Sequence, residues 1–220
     1  MPVYTPALLA VDADETRRYA GLARARFDEA AIAAACEEAL LLAEPRGIWF
    51  AYDYDCAQGI VLSAPAFAIE GHSIRKHLEG AARVVALAAT VGAAVGEAVT
   101  HHFDAGRYAH AVLLDAAATA AVEQTADAVE KAIRPQMAAQ GFTMRWRFSP
   151  GYGDWDIRAQ TGLLRLTRAE EIGIGLTESF MLTPRKSVTA VIGLVRGGAA
   201  DEKPAGCASC PRLDCPSRKT

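Results

Sequence analysis

The chain lacks several things, and each lack narrows its class. No run of eighteen apolar residues occurs in the 220, so no membrane-spanning helix is expected. The first residues, MPVYTPALLAVDADE, have neither the basic start nor the apolar stretch of a secretory leader, and the chain reads as cytoplasmic. Positive charge is not in excess: 23 Lys and Arg stand against 26 Asp and Glu, a net charge of −3. That argues against a general nucleic-acid footprint. Cysteine is scarce, five in all. An odd number in a reducing compartment does not make a disulfide framework. No internal repeat is visible, and strands and helices do not alternate strictly.

What is present is a core and a tail. Hydrophobic residues make up 51% of the chain and charged residues 22%, enough to bury one sizeable domain over residues 1–196. From 197 onward the composition shifts to Gly, Ala, Pro and charge, which reads as a flexible linker into a Cys-rich tail. Within it Cys207, Cys210 and Cys215 follow a C-x-x-C-x-x-x-x-C spacing. A core cysteine sits in an apolar periodic segment, as Cys36 does; these three sit where no core forms. Three thiolates on a short tether suit zinc or a four-iron four-sulfur cluster, with one position left for Cys56, solvent or another chain. They also suit a thiol–disulfide cycle.

Apolar spacing predicts helix from Asp14 to Ala43, broken near Phe27. Short strands follow in 47–55, in GIVLS and in AFAIE, then a short helix from Ser73 to Leu78 with Ser73 as its cap. Residues 83–92 read as a buried strand. Helices are expected at 95–102 and 107–133, the second closed by Pro135. A strand from Phe142 to Phe148 leads into a Pro-Gly turn, then a short helix at 157–166. IGIGLTES and KSVTAVIGLV supply two more strands. The expected fold class is α+β, a mixed, largely antiparallel twisted sheet with flanking helices. Trp49, Tyr52 and Tyr54 read as sheet packing, and Cys36 and Cys56 as packed thiols. His101 and His102 are adjacent, so they project to different helix faces and read as a helix end rather than as ligands.

Three segments carry a resemblance. Arg147-Phe-Ser-Pro-Gly-Tyr152 is similar to an Arg-x-x-Pro-Gly-Tyr turn. Leu176-Thr-Glu-Ser-Phe180 is followed by Met181-Leu-Thr-Pro184, and Lys186-Ser-Val-Thr-Ala-Val-Ile-Gly193 comes next. In this order, with a helix around Ala120–Asp127 upstream, they resemble the activation domain of cobalamin-dependent methionine synthase over residues 115–194. That resemblance implies an α+β domain that binds S-adenosylmethionine. The domain presents the sulfonium methyl to a cobalamin carried elsewhere, so that one electron and the methyl restore methylcobalamin. By motif, Arg147 would engage the ligand carboxylate. Ser149, Gly151 and Tyr152 would form the turn at the adenine end, and Glu123 and Glu178 would lie near the ammonium and sulfonium. Trp155, after the Gly-rich turn, would border the ligand.

The residue chemistry is compatible with this on its own grounds. Arginine offers a planar fork to a carboxylate, glutamates stabilise a cation, and a Pro-Gly bend can turn backbone amides toward a ligand. The departures also count. Gly153-Asp154-Trp155-Asp156 stands where the family has a Cys/His-containing stretch, and the cysteine tail replaces further sheet. The nearest match to a cobalamin-binding Asp-x-His-x-x-Gly signature is Arg75-Lys-His77-Leu-Glu-Gly80, with Arg in place of the Asp. A corrinoid would therefore arrive on a partner protein, with an electron donor as a second partner. Two rival classes stay open: a non-catalytic docking subunit with a zinc-braced tail, and an iron–sulfur electron carrier. Deleting residues 206–220 is expected to leave a cooperative thermal melt unchanged. Loss of cooperativity, followed by circular dichroism, would make the tail structural.

Overall fold

The computed structural model describes residues 3–197. Six strands form one antiparallel sheet in the order β3 (Phe67–Ala68), β2 (Ile60–Val61), β1 (Arg46–Asp55), β4 (Arg83–Thr90), β8 (Ser187–Arg196) and β5 (Phe142–Met144). A separate hairpin joins β6 (Gly175–Leu176) to β7 (Leu182–Thr183). Helices α1 (Ala13–Tyr19), α2 (Glu29–Leu42), α3 (His72–His77), α4 (Ala94–Asp104), α5 (Tyr108–Ala138) and α6 (Gln160–Thr167) flank the sheet. This is the α+β class expected. No helix among the described residues is long and apolar enough to cross a membrane.

The central strands explain the layering. All of β4 after Arg83 is buried, because its alternating side chains meet a layer on each side. Val85, Leu87 and Ala89 face α5 together with Trp49, Ala190, Ile192 and Leu194. Val84 and Ala86 face the opposite way, onto Phe148, Trp155, Leu163 and Leu166. The helix α5 has 31 residues, roughly 46 Å of rise. Its first half packs against α1, α2 and α4 through Leu113, Leu114, Ala117 and Ala121. Its second half lies on the sheet through Ala126, Val129, Ile133 and Met137.

Four expectations are corrected. Pro135 does not close α5, which runs on to Ala138. Proline removes one amide donor close to the helix end, while Ile133 and Met137 hold both sides of it in the core. Ser73 does not cap α3. Gly71 occupies that position with no side-chain bond of its own, and the amides of His72 and Ser73 donate to Asp154 at 2.7 and 2.8 Å. The segment IGIGLTES adds nothing to the main sheet. Its Thr177 amide donates to the Met181 carbonyl at 2.9 Å, which folds the chain back into the small hairpin. Finally, the strand from Phe142 stops at Met144.

That last interruption is a β-bulge. Met144 pairs with Leu194 and Phe148 with Val191, four steps along one strand against three along the other. The Arg145 amide still donates to the Gly193 carbonyl at 2.9 Å. The extra residue bends the strand and re-aims the side chains between its two paired ends.

Gly47 shows how tightly α5 lies on the sheet. A Cβ at that position would come within 2.2 Å of Val129 Cγ2. Gly47→Ala is expected to cost about 1–3 kcal/mol in chemical denaturation. Adding Val129→Ala should recover part of that loss; a neutral single substitution would show that the helix can lift away at no cost.

Candidate functional site

The bulge opens onto a cleft of about 880 Å³ between α5 and the turn at 149–153. Arg147 forms its floor, with its side chain 11% exposed. One guanidinium nitrogen lies 2.7 Å from Asp127 and 3.2 Å from Glu130, and the other lies 3.3 Å from Glu123. Positions 123, 127 and 130 fall on one face of α5, spaced by four and then three residues. Burial works against the charged form of Arg147, but Asp127, Glu123 and Glu130 outweigh it and raise its pKa. Three carboxylates thus surround one guanidinium. Lys131 and Arg134 line the same cleft further along α5, so its rim carries both signs.

An aromatic cluster backs the cleft. The rings of His77 and Trp146 lie 4.1 Å apart, and Phe148 is 5.4 Å from His77 and 5.5 Å from Trp146. His77 Nε2 is 2.9 Å from the Trp146 carbonyl. Arg145 donates to the carbonyls of His77 and Glu79 at 2.6 and 2.7 Å. Arg145 and Trp146, the two residues before Arg147, thus tie the bulge to α3 and to the turn that follows it. His77 is buried and engaged in this packing.

The structure gathers Glu123, Arg147, Ser149 and Tyr152 around the cleft. Gly151 shapes the turn through a φ of 89°. Its amide donates to the Trp155 carbonyl at 2.8 Å, and the Tyr152 amide to the Ser149 carbonyl at 3.2 Å. Where outward amides were expected, these two donate within the turn, and the turn offers the side chains of Ser149 and Tyr152 to the cleft instead. Tyr152 is 64% exposed, with its ring edge-on to Phe148 at 6.3 Å. Trp155 is not at the cleft wall. It is 2% exposed and packs behind Phe148 in the sheet core. Glu178 is exposed in the β6–β7 turn and is not among the cleft-lining residues. Cys207, Cys210 and Cys215 lie outside the described residues. Cys36 is buried and Cys56 half-buried, both as free thiols.

Asp127 and Glu130 are the residues that motif reading passed over. Their spacing from Glu123 was visible in the sequence as a helical stripe, but a long helix carries many solvated acids, and only the position of Arg147 sets these apart. Asp154 was likewise seen only as a departure. Its carboxylate caps α3 from a distance in sequence, tying the turn to the helix.

The fold has a counterpart among solved structures. The chain is similar to the crystal structure of the MetH reactivation domain bound to AdoHcy, with a TM-score of 0.61 and 15% sequence identity, over 90% of this chain and 80% of that one. No protein-family model matches the sequence, and no curated protein does. At this identity the likeness is one of fold, the same fold that the three sequence segments pointed to.

The Ser73 and His72 amides, with the Ser73 side chain, hold the Asp154 carboxyl at a pKa of about 2, below the usual 3.8. A carboxyl lowered on folding contributes stability above its unfolded pKa and loses it as pH falls through the folded value. Carbon-13 NMR of the Asp154 carboxyl should therefore titrate with a midpoint near 2. Asp154→Ala should lower the melting temperature at neutral pH but make little difference at the acid end. A midpoint at the ordinary aspartate value would show that the cap is not formed in solution.

Proposed function

We propose that the cleft beside Arg147 binds S-adenosylmethionine, and that the protein supports reductive remethylation of a corrinoid carried by a partner protein. The observation that carries this reading is the mixed-charge cleft built on the Arg147–Tyr152 segment, in a fold like that of an AdoHcy-bound domain. A volume of about 880 Å³ falls in the range of small-molecule sites. The ligand is a zwitterion with an added sulfonium charge, and the cleft has groups of both signs to meet it.

The longest of the Arg147 contacts, 3.3 Å to Glu123, is the natural place for the ligand's amino-acid end. Its carboxylate would take the guanidinium edge from Glu123. Glu123, 40% exposed, would turn to the ammonium, so that one ion pair becomes two. Asp127 and Glu130 would keep Arg147 in place while Glu123 turns. Ser149 and the open face of Tyr152 would receive the adenosine end, the tyrosine ring by stacking.

S-adenosylmethionine brings the transferable methyl, and the partner's corrinoid brings the cobalt that accepts it. This chain would bind, orient and neutralise charge, without a nucleophile of its own. Trp155 would act by holding Phe148 under the aromatic cluster, and Glu178 from the hairpin turn, as part of the surface a partner meets. The tail cysteines Cys207, Cys210 and Cys215 would hold a four-iron four-sulfur cluster that passes on the single electron, or a zinc ion that braces the tail.

Calorimetric titration with S-adenosylmethionine should give one site. Arg147→Ala should weaken it by about 2–3 kcal/mol, and Glu123→Gln by about 1.5–3 kcal/mol. An unchanged dissociation constant in both variants would remove the cleft from consideration. Anaerobic purification with iron, sulfide and zinc analysis reads the tail separately. Absent ligand binding together with zinc alone would favour a docking subunit.

A further inference from the structure

The N-terminal helical layer holds a group of side chains that the cleft does not use. Glu38 of α2 lies between His102 of α4 and His110 of α5. Its two carboxylate oxygens are 2.8 Å from His102 Nε2 and 2.6 Å from His110 Nε2. The imidazole rings meet edge-on with centroids 4.5 Å apart. One ligand-type atom from each residue lies within 4.8 Å of the other two. His110 is thirteen residues before Glu123 on α5, roughly 20 Å along the helix, so the group is separate from the cleft.

We propose that Glu38, His102 and His110 form a binding site for a divalent transition-metal ion of the zinc type, with solvent completing the shell. Two imidazoles and one carboxylate are a borderline donor set that suits such ions over calcium or magnesium. In a tetrahedral zinc shell with bonds of about 2.0–2.1 Å, donor atoms stand roughly 3.3 Å apart. The three side chains need to shift by only about an ångström to enclose an ion in place of the protons they now share.

Their backbones are held for this. Ala35, Ala39, Val99, Leu113 and Leu114 pack the three helices together around the group. His102 is 10% exposed, while Glu38 and His110 are 31% and 28% exposed. The site is thus anchored at one ligand and open to solvent at the other two, which leaves a path for an ion and room for water.

His102 Nδ1 is buried without a hydrogen-bond partner. The same nitrogen lacks the outer acceptor that usually steadies a ligating histidine. Such partners are worth about 10–100-fold in affinity, so the site is expected to hold zinc more weakly by that factor than one with a complete outer shell. His101, exposed on the other face of α4, takes no part. The signal therefore lay in His102 with a residue eight positions on, not in the adjacent pair.

The test uses the full-length chain with Cys207→Ser, Cys210→Ser and Cys215→Ser, so that the tail cannot compete. After chelation, calorimetry with Zn²⁺ should show one equivalent bound. Co²⁺ should give visible ligand-field bands with no thiolate charge-transfer band. His110→Ala and Glu38→Gln should each weaken zinc by at least about 10-fold, while the metal-free melts show both variants folded. Zinc at about 100 times its dissociation constant should raise the melting temperature of the parent and not of the variants. No binding by the tail-substituted chain, or binding that survives both substitutions, would overturn the site. Should His110→Ala fail to fold, Glu38→Gln decides alone. Neither result bears on the cleft, whose S-adenosylmethionine titration is read independently.

Discussion

Everything in this molecule is arranged about the packing of one long helix. Helix α5 carries small residues where neighbours press closest: Ala111, Ala116, Ala117, Ala118, Ala120, Ala121 and Ala126 are all buried. Small side chains let three helices approach one half of it and the sheet approach the other, so a single rigid element serves two layers. Gly47 meets Val129 under the same constraint. A rigid rod with two cores along its length also fixes whatever projects from its free faces.

Two sets of polar groups project from it. Near its N-terminal end His110 meets Glu38 and His102. Further along, Glu123, Asp127 and Glu130 meet Arg147. In each case one partner comes from α5 and the other from an element packed against it. The Arg147 set depends additionally on the bulge after Met144. Without the extra residue, the alternation of a regular strand would carry different side chains to this face. His77 and Arg145 tie that bulge to α3, and Asp154 ties α3 to the turn that closes the cleft. The cleft is a junction of α5, the bulge and the 149–155 turn, each held by a different kind of contact.

Much of the fold was legible along the chain, because its main elements are long and strongly patterned. The buried run 83–90 could only be a central strand, and the break near Phe27 between the first two helices follows from loss of apolar spacing. What misled was local chemistry overridden by packing. Pro135 reads as a stop, yet Ile133 and Met137 carry the helix past it. Ser73 reads as a cap, yet a carboxylate eighty-one residues away does that work. Trp155 follows a glycine-rich turn, which suggested a ligand neighbour, but its large apolar ring is better satisfied in the core behind Phe148.

The sequence by itself determined the α+β class, the order of the main elements and the segment from Arg147 to Tyr152 as the place to look for a site. These are properties of local pattern: periodicity, turn residues and short motifs that survive as contiguous words. Only the tertiary structure decided what surrounds those words. That Arg147 meets three carboxylates, that the turn's amides bond inward, and that Glu38, His102 and His110 share one point all depend on distances between elements far apart in the chain. Those distances are set by how closely side chains can interdigitate across α5, a quantity that belongs to pairs of surfaces and is written in no single stretch of residues.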